Sequence, residues 1–213
     1  MIGAAEFFSL EKKLIESGMD ADLDSFAVIK ERLAVKQPLT DDEFARNAIY
    51  VVLAGGFSQK TAKRIHTEIM GELAGGRDGF DHLFSIFHNK NKINAAIKLW
   101  RSRNKLRDDY YKLPDDLSVK LGFLSKLPHI GKITANHLAR NLGEDIVKYD
   151  IWIQRLATRG TQLERLVDNG SLNPEVKSLC DDMFAELTAS TGLPRGYIDV
   201  VLWKSCQEGL IQL

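Results

Sequence analysis

Apolar residues recur at helical spacing in two short segments between residues 117 and 142. The spacing is i, i+4, i+7 in the first segment and i, i+3, i+4, i+7 in the second, which is typical of a helix with one buried face. These residues are Leu117, Leu121 and Leu124, then Ala135, Leu138, Ala139 and Leu142. Pro128 and Gly131 separate the segments; proline cannot continue a helix, and glycine adopts backbone conformations that other residues resist. The pattern predicts two short helices joined by a tight turn.

The rest of the chain also shows helical periodicity rather than strand periodicity. Two amphipathic helices are expected at residues 4–17 and 24–35, followed by a strongly apolar helix. Thr40, with Glu43 three residues later, forms a capping-box pattern that marks the start of this third helix. Long alternating runs of β-branched residues, which indicate strands, are almost absent. The chain is therefore expected to be all-α.

The turn at residues 127–132 has the features of an anion site. A glycine-containing turn ahead of a helix presents backbone N–H groups without helical partners, and the helix dipole adds positive potential there. A backbone phosphate of nucleic acid is the simplest anion for such a site. The side chains and backbone expected to contact it are those of His129, Gly131, Lys132 and Thr134.

The carboxylate of Asp150 follows the second helix at the start of another apolar segment. Aspartate at such a position commonly caps a helix, because its carboxylate accepts hydrogen bonds from the first backbone amides. Held at the mouth of a cleft, the same carboxylate would be available for chemistry. The two roles are compatible.

These residues carry a resemblance to a known family. The segments LPHIGKITAN and VKYDIWIQRLA resemble the helix-hairpin-helix, the Gly/Pro-rich loop and the following aspartate of the HhH-GPD DNA glycosylases, the endonuclease III superfamily. The spacing from the hairpin to Asp150 agrees with the family to within a residue. The residues that match the family turn are Leu127, Pro128, Ile130, Gly131, Thr134 and Ala135.

The resemblance implies two helical lobes with the active-site cleft between them. Residues 39–139 would form a central helical lobe that ends in the helix-hairpin-helix (117–142). Residues 1–38 and 140–213 would together form the other lobe, because in related enzymes the terminal helix packs back on the N-terminal helices.

The resemblance also implies the chemistry of base excision. Breaking the bond between C1′ and a base passes through a sugar with oxocarbenium character, which a nearby carboxylate stabilises. This bond is inaccessible inside a duplex, so the nucleotide must first be flipped out of the stack. The expected function is hydrolysis of the N-glycosidic bond of a damaged or modified base in double-stranded DNA, with Asp150 as the catalytic carboxylate.

Two positions depart from the family turn. His129 replaces the first glycine of the hairpin. Ile133 occupies the place where bifunctional members carry a catalytic lysine, and Lys132 lies one residue away, a rotation of about 100° on a helix. A monofunctional enzyme is therefore expected. A Schiff-base role for Lys132 stays open beside phosphate binding or simple solvation.

Two further regions are candidate DNA contacts. By position in the family, Phe57 and Gln59 would fill the space left by the flipped nucleotide; the alternative is a helix that ends at glycine, followed by a buried phenylalanine. Residues 88–107 contain seven Lys or Arg and no acidic residue. This favours contact of Lys90 and Lys92 with phosphates over a solvated helix face, which is the usual role of a charge run.

The pocket for the base is less well defined. Tyr149 and Trp152 lie beside Asp150 and could stack on a flipped base, although aromatic residues at this spacing commonly belong to a core. Oxidised purines such as 8-oxoguanine, alkylated purines and modified pyrimidines all remain open as substrates.

Net charge, cysteine content and the lengths of apolar runs narrow the class of protein further. The formal net charge is zero, so DNA binding must rest on local charge. Cys180 and Cys206 are isolated, so no disulfide framework, no metal site and no cofactor is expected, including the four-cysteine iron–sulfur cluster of many endonuclease III relatives. The sequence shows neither an apolar run of transmembrane length nor a signal-peptide pattern. A cytoplasmic, nucleoid-associated monomer is expected.

Two other functions would use the same features. A viral-type thymine hypermodification enzyme of the α-glutamyl/putrescinyl thymine kind would keep this fold and the aspartate while it replaces a group on the base. The absence of the lysine and of the cluster suits that function as well. A non-catalytic DNA-binding protein would use the hairpin only as a phosphate clamp, and Asp150→Asn would then leave all its activities unchanged.

Overall fold

The structure is a computed structural model that describes residues 2–167 and 171–213. Residue 1 and residues 168–170, which belong to the lobe expected from residues 1–38 and 140–213, lie outside the described residues. In the described ranges the chain forms twelve α-helices, a short 3₁₀ helix (Gln162–Leu166) and no β-strand. The α-helices are α1 (Ala4–Glu16), α2 (Phe26–Val35), α3 (Asp41–Ala54), α4 (Gln59–Ala74), α5 (Phe80–Ile86), α6 (Lys90–Arg101), α7 (Arg103–Tyr111), α8 (Leu117–Leu124), α9 (Lys132–Asn141), α10 (Ile151–Thr158), α11 (Pro174–Thr191) and α12 (Arg195–Gln207). The expected all-α fold is confirmed.

The helices belong to two compact units, which are described separately. One unit is the continuous segment Gln37–Leu142, with α3 to α9. The other combines the described residues up to Lys36 with those from Gly143 onward, and it contains α1, α2 and α10 to α12. The hairpin between α8 and α9 lies in the first of these units, and Asp150 lies in the second.

Helix α3 is the centre of the unit Gln37–Leu142. It begins at the expected capping box: the Thr40 hydroxyl accepts a hydrogen bond from the Glu43 amide (3.3 Å), and the Glu43 carboxylate accepts one from the Thr40 amide (2.9 Å). Its side chains from Phe44 to Leu53 are buried, with Arg46 as the exception, because α4, α6, α7 and α9 pack around it. A helix that is apolar on all sides requires such neighbours.

Helix α12 has the corresponding place in the second unit. Its apolar residues Ile198, Val201 and Leu202 are fully buried, and α1, α2, α10 and α11 pack on it. The Tyr197 hydroxyl donates a hydrogen bond to the Glu11 carboxylate, which links α12 to α1. The core of this unit is therefore built from segments that are distant in the chain.

The first two helices lie where their apolar periodicity places them. Helix α2 begins at Phe26, two residues later than expected, because the Ser25 side chain accepts a hydrogen bond from the Val28 amide (3.4 Å) and caps the helix there.

None of the helices in residues 2–167 and 171–213 is both long and apolar enough to cross a membrane.

Candidate functional site

The turn of the hairpin connects α8 to α9. Leu127 and Ile130 are buried within it, and the Ile130 amide donates a hydrogen bond to the Leu127 carbonyl (3.1 Å). Between these two anchors, His129 is exposed. The apolar residues thus fix the turn to its unit while its polar tip faces solvent.

The left-handed backbone conformation in this turn belongs to His129, whose φ is 62°. Gly131 has φ −96° and ψ −179°, an extended conformation that any residue adopts, and a Cβ added there would meet nothing closer than 3.7 Å. The expectation that Gly131 is needed for its backbone freedom is therefore wrong. The strained position is His129, where the family turn has a glycine.

A neutral cap marks the N-terminus of α9. The Gly131 amide donates to the Thr134 hydroxyl oxygen (2.7 Å), and that hydroxyl donates to the Gly131 carbonyl (2.9 Å). The Gly131 amide is therefore engaged within the chain. The first amides of the helix itself have no carbonyl partner inside the helix. Lys132, exposed in the first turn, adds its charge to this positive helix end.

An open groove of about 450 Å³ lies beside the hairpin turn. Its lining combines one cation with neutral polar and apolar residues and contains no carboxylate. The lining residues are Pro128 and His129 from the turn and Asn91, Asn94, Ala95 and Lys98 from α6. Sequence reasoning did not single out Asn91, Asn94 or Lys98, because their proximity to His129 is a long-range contact. The sequence indicated a role for these three residues only through their place in the basic segment 88–107.

Two of the expected DNA contacts are buried. Lys92 is 5% exposed, and its ammonium donates hydrogen bonds to the carbonyls of Leu53 (3.0 Å) and Gly55. Burial lowers the pKa of Lys92 to about 8. Gln59 is 9% exposed in the first turn of α4. The structure corrects both expectations, since neither side chain is presented to a ligand. Lys90 is exposed, and its contact with phosphate stays a prediction.

Phe57 is exposed in the loop between α3 and α4. Its side chain is 43% exposed, so the alternative of a buried phenylalanine after the helix is wrong. Its role in filling the space of a flipped nucleotide stays a prediction.

Asp150 caps helix α10. Its Oδ1 atom accepts hydrogen bonds from the amides of Trp152 (3.0 Å) and Ile153 (3.2 Å). Its Oδ2 atom lies 3.1 Å from the Lys148 ammonium, and the Asp150 side chain is 13% exposed. The carboxylate is thus held at a fixed orientation by the backbone and paired with a cation in a largely buried environment.

Lys148 is a candidate functional residue that sequence reasoning missed. Besides its contact with Asp150, its ammonium lies 5.4 Å from the ring centroid of Trp203, and its amide donates to the Asp199 carboxylate (3.3 Å). Its side chain is 19% exposed. The sequence signal was its separation of two residues from Asp150, which in an extended segment puts both side chains on one side of the backbone.

The two aromatic residues beside Asp150 are tied to the core of the same unit. The Tyr149 hydroxyl donates to the Asp181 carboxylate (2.5 Å), and the Lys177 ammonium lies 4.9 Å from the Tyr149 ring centroid. Burial, together with the Asp181 carboxylate, raises the pKa of Tyr149. Trp152 is partly buried and packs against the core. Stacking of either ring on a base stays a prediction.

The expected site residues form two groups, one in each unit. His129, Gly131, Lys132 and Thr134 lie together in the unit Gln37–Leu142, where α6 contributes the wall of the groove. Asp150, Tyr149 and Trp152 lie together in the other unit, with Lys148 beside the carboxylate.

Cys180 and Cys206 are buried free thiols, and burial raises the pKa of each to about 12. Within the described part of the chain, no group of three or more His, Cys, Asp or Glu is arranged to hold a metal ion.

The all-α fold of the described residues is one that solved structures of DNA glycosylases share. Three solved structures share this fold with the chain. The 8-oxoguanine glycosylase/lyase of Methanocaldococcus jannaschii, in complex with a 15mer DNA that contains 8-oxoguanine, matches with a TM-score of 0.68 and 17% identity, over 96% of this chain and 98% of that one.

Two further structures give the same result. The M. jannaschii 8-oxoguanine DNA glycosylase matches with a TM-score of 0.69 and 16% identity, over 97% of this chain and 94% of that one. The 8-oxoguanine DNA glycosylase Tm1821 of Thermotoga maritima matches with a TM-score of 0.63 and 18% identity, over 92% and 93%. No protein-family model and no curated protein matches the chain. At these identities the likeness shows the fold.

Proposed function

We propose that the chain is a DNA glycosylase that hydrolyses the N-glycosidic bond of a damaged or modified base in duplex DNA. The observation that carries the proposal is the set of hydrogen bonds and the ion pair that hold the Asp150 carboxylate, in a chain with this fold. One carboxylate oxygen accepts two backbone hydrogen bonds and the other faces the Lys148 ammonium. A preorganised carboxylate of this kind stabilises the positive charge that develops at C1′ without reorganising during the reaction.

The hairpin supports the binding step of this proposal. Exposed His129 and Lys132, the first amides of α9 and the adjacent groove offer hydrogen-bond donors and positive charge for the DNA backbone. Phosphate contacts position a protein on DNA without reading its sequence. The base would then be selected after flipping, in a separate pocket.

We propose 8-oxoguanine as the first base to test. The support is that all three solved structures that share the fold are described as 8-oxoguanine enzymes. The fold alone does not select among bases. Alkylated purines and modified pyrimidines therefore belong in the same panel.

The attacking group in the proposed reaction is water. Ile133 supplies no amine, and Lys132 is exposed one residue away from that position. Lys148 nevertheless brings an amine into contact with Asp150. An amine that attacked C1′ would form a Schiff base, which borohydride reduces to a stable adduct. Trapping therefore separates the two nucleophiles.

The test is a single-turnover assay on duplexes that each contain one modified base, beginning with 8-oxoguanine opposite each of the four normal bases. Every reaction is analysed with and without hot alkali, and a parallel sample is treated with borohydride. The variant is Asp150→Asn. The control is Asp116→Asn, because Asp116 caps α8 in the same manner, through the amides of Ser118 and Val119.

Release of a base that requires alkali for strand cleavage, and that Asp150→Asn abolishes, would support the proposal. Cleavage without alkali together with a borohydride adduct would show a lysine nucleophile and overturn the hydrolytic mechanism. Tight binding without release from any duplex would overturn the glycosylase proposal.

A further inference from the structure

Phe57 is held in its exposed position by a backbone hydrogen bond and by contacts of its ring with neighbouring side chains. The loop that carries it follows the central helix α3, and Gly56 takes a left-handed φ of 80° there. The Phe57 amide donates to the Ala54 carbonyl (3.1 Å). The Phe57 ring packs edge-on against Phe87, with 5.5 Å between centroids and an interplanar angle of 72°.

Lys92 connects this loop to the rest of the unit. Its ammonium lies 4.8 Å from the Phe57 ring centroid and donates hydrogen bonds to the carbonyls of Leu53 and Gly55. One buried charge therefore binds the end of α3, the backbone of the loop and the exposed ring at once. Removing it would leave two backbone carbonyls without this donor and the ring without its cation.

We propose that Lys92 is a positioning residue that holds Phe57 as a wedge, ready to enter the base stack of duplex DNA. This inference rests on the proposed function, because a flipped nucleotide leaves the space that the ring would fill. An aromatic ring can occupy that space because it stacks on neighbouring bases of any sequence. A wedge fixed before binding loses little conformational entropy on insertion.

The environment of Lys92 makes its charge sensitive to mildly alkaline pH. Burial lowers the pKa of Lys92 to about 8, and no charged side chain contributes to that shift. The folded-state pKa lies below the value of 10.5 for a free lysine. Above pH 8 the folded state therefore binds fewer protons than the unfolded chain, and this group favours folding more as pH rises. A loss of insertion above pH 8 would therefore not result from global unfolding caused by deprotonation of Lys92.

The test uses a duplex with a tetrahydrofuran abasic site opposite 2-aminopurine, so that insertion is measured without base release. Fluorescence reports whether 2-aminopurine remains stacked, and anisotropy establishes saturation by the full chain. Phe57→Ala should abolish the fluorescence change. Lys92→Met should weaken insertion about 10-fold, the size expected from a desolvated cation–π contact and a charge-assisted hydrogen bond. Lys92→Arg should restore it.

A pH series on the unmodified protein provides a second measurement in case Lys92→Met does not fold. The insertion signal should fall between pH 7 and 9, and it should stay constant over that range in Lys92→Arg. A full signal in folded Lys92→Met, a full signal in Phe57→Ala, or a signal without pH dependence would each overturn the proposal. Base release from the lesion panel is scored separately. Release without insertion refutes this inference alone, and insertion without release refutes the glycosylase proposal alone.

Discussion

Helices α9 and α10 begin in opposite ways. Helix α9 begins after Gly131 with a neutral hydroxyl cap and an exposed lysine in its first turn. Helix α10 begins after Asp150, whose carboxylate already accepts hydrogen bonds from the first amides and is largely buried. Both helix ends attract negative charge. In α10 the chain provides that charge itself, and in α9 the end is open to an anion from outside.

In the proposed function, this difference between the two helix ends separates DNA binding from chemistry. An open helix end with surrounding cations suits a phosphate, which arrives and leaves with the DNA. One oxygen of the Asp150 carboxylate already accepts two backbone hydrogen bonds. Its second oxygen and the Lys148 ammonium beside it are therefore the groups left for a reaction. Substitutions near the start of α9 should accordingly change DNA affinity, and substitutions at the start of α10 should change the rate of base release.

Asp150→Asn should have the largest effect. We expect the single-turnover rate of base release to fall at least about 100-fold, because an amide cannot stabilise a cationic sugar. Asparagine caps helices as well as aspartate does, so the free energy of unfolding should change by about 1 kcal/mol or less. DNA affinity should be retained. Equal losses of rate, affinity and stability would instead show that Asp150 serves only as a cap, with Asp116→Asn as the reference.

Lys148→Met should have the next largest effect. We expect the single-turnover rate to fall about 10-fold, because the Lys148 ammonium, 3.1 Å from Oδ2, helps to hold the Asp150 carboxylate in place. Lys148→Arg, which keeps the charge and can keep the ion pair, should retain most of the rate. An equal drop in rate in both variants would mean that Lys148 acts only through packing.

Lys98→Glu should weaken DNA binding several-fold and leave the rate at saturating protein unchanged. Loss of one phosphate contact lowers the slope of log affinity against log salt concentration by about 1. Fluorescence anisotropy at four salt concentrations measures both quantities. Lys12→Glu, on the 74% exposed side chain of Lys12 in the other unit, is the control for charge alone. The groove would have no part in binding if the two variants behaved alike.

His129→Gly should have the smallest effect, a slight gain in stability together with weaker DNA binding. Relief of the left-handed conformation should raise the free energy of unfolding by about 0.5–1 kcal/mol, as measured by urea titration. Lys36→Gly is a matched control, because Lys36 also has a positive φ, of 52°, at the end of α2. Only His129→Gly should also weaken DNA binding. Unchanged affinity would remove the imidazole from the interface.

Features set by neighbours in the chain could be predicted from the sequence. The capping box of Thr40 and Glu43, the hairpin helices and the cap formed by Asp150 each depend on residues within four positions of one another. The all-α class followed from the same short-range periodicity. Such patterns are local in their energetics as well as in the sequence.

Features set by distant contacts could not be predicted in this way. Lys92 lies in a basic segment, but its partners Leu53 and Gly55 are almost forty positions earlier in the chain, and they bury the charge. The backbone of His129 shows a further difficulty. The glycine of the turn marks a place where the chain bends, yet the strained φ falls two residues before it.

The way the chain is divided between its units has a consequence for synthesis. The unit Gln37–Leu142 is continuous, so every residue it needs has been translated before Asp150 is reached. The core around Asp150 requires α12 as well as α1 and α2. Domains tend to fold as they leave the ribosome. The nascent protein would thus form the unit that carries the hairpin first, and the carboxylate would be set in place only after α12 has emerged.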